Sequence, residues 1–496
     1  MRTDGKILRL VTLLYIYVPV MIFVAGMTAW YVSSIALIVT GFTFYKMFKD
    51  FNSGLSQRGE VVISRPVLIL TILLITAAAV MLGFGGLMGQ ADDWNKHNAV
   101  LHDLIGKDWP VMYTSKESAM LTYYVGQYLI PALAGKLGGF AAGSIVMALW
   151  GILGLILVYI NLVRMVKADT TLKQLYCLII LIFFSGALIL AQGAVAMIFS
   201  GSRFVPFNQK WLMAGELSLQ YRSNAVMLRW VYPQIITVWL ICLMFYEHRK
   251  DIRYYVMLLI PSLLFGSFSV VFLAGSAIIL AAAEFIRSDS KKQVLKEIFS
   301  IYNIGITLSL GTIFVFYLLG YLLTPKPQDT GFSLVNITPS NVVVILVFDI
   351  FMFGIYMLLT AAEHKKDILF YCTLVFLMIL PFFKMGDYND LVMGMSVPAL
   401  FYVMLFVMET LNADGKRKGA KVRCGLIVLF LIIGAWYPVK EFRESFYLTS
   451  IGGGIEDNFK TFENFTDRSS DERTDLVYNY FTYDPEKMVF YRYISR

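Results

Sequence analysis

Long apolar runs, most of them near twenty residues and separated by short polar loops, set the pattern of this chain. Runs of that length cross roughly 30 Å of hydrocarbon as helices, so the pattern predicts an all-α polytopic membrane protein. Spans are expected near Leu8–Met27, Ala29–Met47, Pro66–Met88, Gly139–Val163, Lys173–Ile198 and Leu228–Tyr246. Others are expected near Ser300–Leu323, Val342–Ala362, Ile368–Phe383, Val392–Leu411 and Gly425–Val439. The longer run Tyr254–Ile286, with Pro261 and Gly266 in its middle, suits a hairpin of two short helices and brings the total to about thirteen. Ser118–Gly138 reads instead as an interfacial or re-entrant helix, its tyrosines at headgroup level.

The loops sort by charge. Lys46, Lys49, Arg58 and Arg65, then Lys167 and Lys173, the turns Glu247–Arg253 and Glu363–Asp367, and Lys416–Arg423 all fall on one side of this topology. A basic excess marks cytoplasmic loops, so the N-terminus is expected inside and residues 440–496 outside, in a multi-pass inner (plasma) membrane protein. The chain then divides into two N-terminal helices and a cytoplasmic loop (1–65) and a transmembrane core (66–411) with external loops 89–138, 200–227, 324–341 and 384–391. A basic loop with the last helix (412–439) and an external segment (440–496) complete it.

Composition agrees. Hydrophobic residues make up 58% and charged residues 15% of the 496, and the mean hydropathy is +0.67. Strand alternation of the outer-membrane barrel kind is absent. The net charge of +8 reflects the basic loops and leaves no reason to invoke a nucleic-acid partner. Cys177, Cys242, Cys372 and Cys424 lie in or beside apolar runs without metal-ligand spacing, as small buried residues do. The basic N-terminus followed by an apolar run, with no small-residue cleavage site, reads as a retained signal anchor.

Polar chemistry concentrates in Gly89–Tyr113, which holds Asp92, Asp93, His97, His102 and Asp103. If Asp93 starts a helix reaching Ile105, then at about 100° per residue Val100, Leu101, Leu104 and Ile105 form an apolar stripe with Asp93 and His97 on or beside it. Asp92, Lys96 and Asp103 share the adjoining polar face. Such a helix would lie along the membrane surface, with Asp93 where desolvation suits a carboxylate to act as a general base. The plainer alternative makes Asp92 or Asp93 a helix cap and Lys96 an exposed ion-pair partner of Asp92 and Asp103.

The second external loop offers Arg203, Lys210 and Arg222 to a phosphate, although such residues also snorkel to headgroups or pair with Glu216. Arg222 stands out, next to Tyr221 and just before a helix. The turn Gly386–Asp390 adds Asp387 and Asp390, which could position an acceptor, join Asp93 around magnesium or manganese, or simply cap a helix. No cofactor is otherwise indicated. His248 and His364 sit in inner basic turns as bystanders, and Asn336-Ile-Thr and Asn464-Phe-Thr match a glycosylation pattern that arises often by chance.

A long outward helix, acidic residues at its external end and an interfacial helix ending in Trp109-Pro110 resemble the first external loop of GT-C-fold glycosyltransferases. Leu121–Leu133, Gln220–Ala225 with Trp230–Gln234, and Tyr388–Leu400 are similar to a set of bacterial multispanning envelope proteins of that design. The resemblance covers residues 66 to 411. It implies a GT-C-like enzyme that moves a sugar from a polyprenyl-phosphate donor to an envelope glycan or lipid acceptor. Asp93 would be the base, tuned by His97 or Asp92, and Arg222, Lys210 and Arg203 would hold the donor phosphate. Asp387 and Asp390, with Asp103 nearby, would border the acceptor or a metal, and Tyr123, Tyr124 and Tyr128 would line the lipid entrance. The rival reading is a transporter or flippase, or a non-catalytic subunit, for envelope lipid or polysaccharide. It predicts charged residues inside the spans, where Asp349 is the nearest to a helix interior.

Overall fold

The computed structural model describes residues 2–3, 5–53, 61–115, 117–200, 210–323, 331–385, 389–413, 419–451, 461–463 and 480–495. The architecture is that of a helical polytopic membrane protein, with strands of only two or three residues. Among the described residues, eight helices are long and apolar enough to cross a membrane, or ten if each of two bent pairs is one span. The expected thirteen is too many. The other three runs fold as shorter apolar helices, Arg65–Met81, Ile252–Phe265 and Ile368–Phe382. Punctuation in the backbone shortens them: Gly83 (φ 100°) follows the first and Pro261 divides the second.

The first half of the bundle comprises α1 (Gly5–Met27), α2 (Trp30–Ser53), α3 (Arg65–Met81), α4 (Asp93–Gly106) and α5 (Leu129–Met165). Helix α5 is not one rod. Gly139 adopts φ 77° and ψ 179°, and a Cβ at Gly135 would lie 3.5 Å from the Cα of Gly143. Residues eight apart in a straight helix stand about 12 Å apart. The first turns of α5 therefore double back on the rest and enclose Ile105 of α4, whose Cδ1 packs against Gly135.

Two further helix pairs are sharply bent. Helices α6 (Thr171–Phe183) and α7 (Leu188–Ser200) meet at 47°. The freed carbonyls of Phe184 and Ser185 accept from the Asn224 amide (3.0 Å) and the Tyr356 hydroxyl (3.0 Å). Helix α8 (Asn224–Trp230) meets the segment Tyr232–His248, which contains α9 (Ile236–His248), at 114°, with Pro233 at the corner. Short helices α10 (Tyr255–Leu259) and α11 (Ser262–Phe265) lead to α12 (Ser269–Arg287), α13 (Lys291–Ile298), and α14 (Ile301–Ile306) and α15 (Thr312–Leu323) joined by a π-helical turn. Helices α16 (Pro339–Asp349) and α17 (Ile355–His364) are joined by a π-helical turn and followed by α18 (Ile368–Ile379).

Helix α19 (Asp390–Asn412) is the axis of the bundle, with nearly all of its length buried. After α20 (Ala420–Gly434), α21 (Trp436–Ser450) continues eleven residues beyond the expected end at Val439. Its Ser445 and Thr449 hydroxyls bind the backbone of Gly89.

Contacts sort the loops by face. At one end Arg9 and Arg164 converge on Glu247, Arg249 pairs with Asp367 (3.3 Å), Arg253 with Asp50 (3.3 Å) and Arg423 with Glu363 (2.7 Å). These are the loops expected on the cytoplasmic side. At the opposite end, strands β1 (Met112–Tyr113) and β2 (Ala119–Leu121) form a hairpin, and β3 (Phe481–Tyr483) from the C-terminal segment adds to it with Leu121 opposite Phe481. Thr28 and Ser495 form a bridge at this same end.

Candidate functional site

The site-bearing end is organised by α4, by the loop before α8 and by the first residue of the axial helix α19. Asp92 occupies the N-cap position of α4 but its carboxylate makes no capping bond and is exposed. Asp93 begins the helix and takes Lys96 as partner, with Nζ 3.1 Å from Oδ1. That pairing corrects the expected one, in which Lys96 sat between Asp92 and Asp103.

Asp103 is not on a polar face. It is fully buried, and its oxygens accept from the Tyr113 hydroxyl (2.8 Å) and the Phe462 amide (2.9 Å), with His102 Nδ1 3.2 Å away. It ties α4 to the hairpin and the C-terminal segment. The phasing failed here because the tail covers α4 on the side away from the bundle.

His97 is buried, with Nε2 3.1 Å from the Trp230 carbonyl oxygen and Nδ1 2.7 Å from the Tyr128 hydroxyl. A carbonyl only accepts, so Nε2 carries the proton and Nδ1 accepts from Tyr128. Burial pulls the His97 pKa down to about 4, against the opposing charge of Asp93. His97 is thus a neutral strut with both nitrogens occupied. Tyr128, buried beneath it, does not line a lipid entrance.

Tyr123 and Tyr124 are partly exposed and their rings lie 4.7 Å apart. Tyr123 also stacks on Tyr480 of the C-terminal segment at 4.0 Å. Asp93 is close enough for its charge to act on Tyr123 and Tyr480, and Asp390 on Tyr124. Burial pushes the Tyr124 hydroxyl up to about 12, so it stays protonated.

The basic residues of the second loop separate into two kinds. Arg203 lies outside the described residues. Lys210 is engaged: its ammonium contacts Glu441 (2.8 Å) and Glu444 (3.0 Å) and lies 4.3 Å from the Trp230 ring centroid. Arg229 joins the same buried knot, donating to the Glu441 carbonyl (2.7 Å) and carboxylate (3.3 Å), and Trp230 Nε1 adds a bond to that carboxylate (3.0 Å). A phosphate would have to displace carboxylates to reach Lys210.

Arg222 differs. Its Nε and Nη2 donate to Gln220 Oε1 (2.9 and 2.5 Å), its guanidinium lies 5.5 Å from the Trp211 ring centroid, and no described carboxylate is within ion-pair distance. The charges of Asp390, Asp93 and Glu441 nevertheless act on it, while burial pulls it below the ordinary arginine range. Asp390 in turn feels Arg222, Asp93 and Lys96. The residue before it, Asn389, takes a left-handed conformation (φ 52°) and is pinned by the carbonyls of Ser218 (3.2 Å) and Phe383 (3.0 Å). That turn fixes Asp390 at the mouth of the axial helix. Asp387 lies outside the described residues.

The structure thus brings Asp93, Arg222, Asp390, Tyr123 and Tyr124 together. It turns Asp103, Lys210, His97 and Tyr128 to holding the scaffold. Among the described residues no group of three or more His, Cys, Asp or Glu side chains is arranged to hold a metal ion. Sequence reasoning missed Glu441, Lys96 as the partner of Asp93, and Tyr480. The one signal available for Glu441 was its place with Glu444, three residues apart on a helix that runs on past its last apolar turn. No family model, curated protein or solved structure matches this chain.

Proposed function

We propose that this protein is an integral-membrane glycosyltransferase of GT-C-like design, acting at the external face of the inner membrane on a polyprenyl-phosphate-linked sugar. The observation that supports it best is the set Asp93, Arg222 and Asp390. Three charges from three separate segments influence one another without pairing with each other, and Tyr123 and Tyr124 lie within reach of the two carboxylates' charges. A half-buried cation that meets no described carboxylate is a place where an anionic ligand gains most.

In this reading the donor phosphate docks on the Arg222 guanidinium, whose fork is held in place by Gln220. Asp93 accepts the proton of the acceptor hydroxyl as that oxygen bonds to the anomeric carbon. The bond from that carbon to the phosphate oxygen breaks, and its electron pair leaves on the phosphate, where Arg222 opposes the growing charge. Asp390 borders the acceptor. Lys96 holds Asp93 in position, and His97 supports the helix beneath it.

The test is sugar transfer by the full chain in nanodiscs with a polyprenyl-phosphate sugar. Asp93→Asn is expected to lower turnover about 10²–10⁴-fold, the range for losing a general base, with the melting temperature unchanged. Retained turnover in that variant removes Asp93 from the mechanism.

One observation favours the rival transporter reading. Asp349 is buried in a span with one carboxylate oxygen lacking any partner, at the start of a π-helical turn against the broken α6–α7 pair. Flux of a labelled lipid across proteoliposomes that is lost in Asp349→Asn, with no sugar transferred by the parent chain, would select it.

A further inference from the structure

On the opposite end of the bundle a cleft of about 590 Å³ is lined by Arg287, Lys365, Lys366, Ile368 and Tyr371. Arg287 closes α12, and the two lysines follow α17, so the three cations come from segments 78 residues apart. They differ from five arginines of this face. Arg9, Arg164, Arg249, Arg253 and Arg423 each meet a carboxylate. The two acids flanking the lysine pair are committed elsewhere: Asp367 caps Leu369 and pairs with Arg249, and Glu363 pairs with Arg423. Among the described residues, Arg287, Lys365 and Lys366 have no ion-pair partner.

The apolar surroundings decide what kind of anion suits the cleft. Ile278 and Ile279 lie about two turns along α12 from Arg287, Leu358 about two turns before Lys365, and Val375 one turn after Tyr371. All four are strongly exposed, Ile278 at 69% and Leu358 at 75%. A cation-rich mouth at the end of two apolar, lipid-facing helices matches a phosphate with acyl chains attached.

We infer that this cleft binds the phosphate headgroup of an anionic phospholipid, with Tyr371 beside it and the acyl chains along α12 and α17. The site is independent of the sugar-transfer reading, since it lies at the other end of the bundle. The test is native mass spectrometry of the full chain released from nanodiscs of equal phosphatidylglycerol and phosphatidylcholine. The parent chain is expected to retain phosphatidylglycerol selectively. Arg287→Gln, Lys365→Gln and Lys366→Gln together should abolish that retention, at about fivefold per charge removed, while Lys46→Gln with Lys49→Gln leaves it intact. Arg287→Gln alone, expected to weaken it about fivefold, serves if the triple variant fails to fold. Undiminished retention in these variants, equal loss in the Lys46 and Lys49 control, or equal retention of phosphatidylcholine would overturn the proposal. Displacement of the lipid by millimolar inorganic phosphate would overturn it too, reassigning the cleft to free phosphate.

Discussion

Two charged clusters share one end of this bundle and draw on the same loop, yet they are built in opposite ways. Around Glu441 the charges close on each other: Lys210, Arg229 and the indole of Trp230 reach one fully buried carboxylate. Around Asp93 the set is looser: Lys96 pairs with it at 3.1 Å, while Arg222 and Asp390 act on each other and on Asp93 without contact. A closed knot satisfies its own desolvation and holds helices together. An open set of charges has unmet electrostatic need, which is what a binding or catalytic site offers a ligand. Counting charges along the loop does not separate these roles. Partners do.

Substitutions can break that comparison. The largest effect is expected from Asp93→Asn, the loss of turnover given above with an unchanged melt. Glu441→Gln should do the reverse, costing about 3–5 kcal/mol of stability by removing the buried carboxylate of the knot and leaving Lys210 and Arg229 only the more exposed Glu444. Thermal melts in detergent would show it as loss of folded protein at any substrate concentration. The paired arginines sharpen the contrast. Arg229→Gln should unfold the chain as Glu441→Gln does. Arg222→Gln should keep the fold and lose about 10²–10³-fold in transfer, the scale for removing one donor to a developing anion. Equal destabilisation by both would erase the distinction between knot and site.

The pH profile gives a smaller effect. His97 has a pKa lowered to about 4 in the folded chain, so the unfolded chain binds the extra proton first as pH falls. Stability from this group is present above about pH 6.5 and declines as pH falls toward 4, by about 3 kcal/mol in all. Replacing His97 with Gln should flatten the part of the acid-side melting curve that lies in that window. Smallest is Tyr128→Phe, which removes one buried hydrogen bond to His97 and should cost about 1 kcal/mol.

Much of the bundle was legible from hydrophobic runs, because a segment that meets hydrocarbon must be apolar and long wherever its neighbours lie. The basic loops gathered at one end, as their spacing implied. The count of spans was not legible, since a run such as Ile368–Phe383 has the composition of a span but folds as a helix, Ile368–Phe382, too short to cross by itself. Within the candidate site, Arg222 and Asp390 were visible as charges near helix starts. The fates of Asp103 and Lys210 were not, because each is decided by a segment remote in sequence: Phe462 for the one, Glu441 for the other.

By itself, then, the amino-acid sequence determined a many-helix membrane protein whose basic loops gather at one end, because burial in lipid acts on each segment separately. The tertiary structure alone decided which charges are paired and which stay open, because that depends on how far apart distant segments come to rest. A carboxylate reads the same in the chain whether an ammonium reaches it or not.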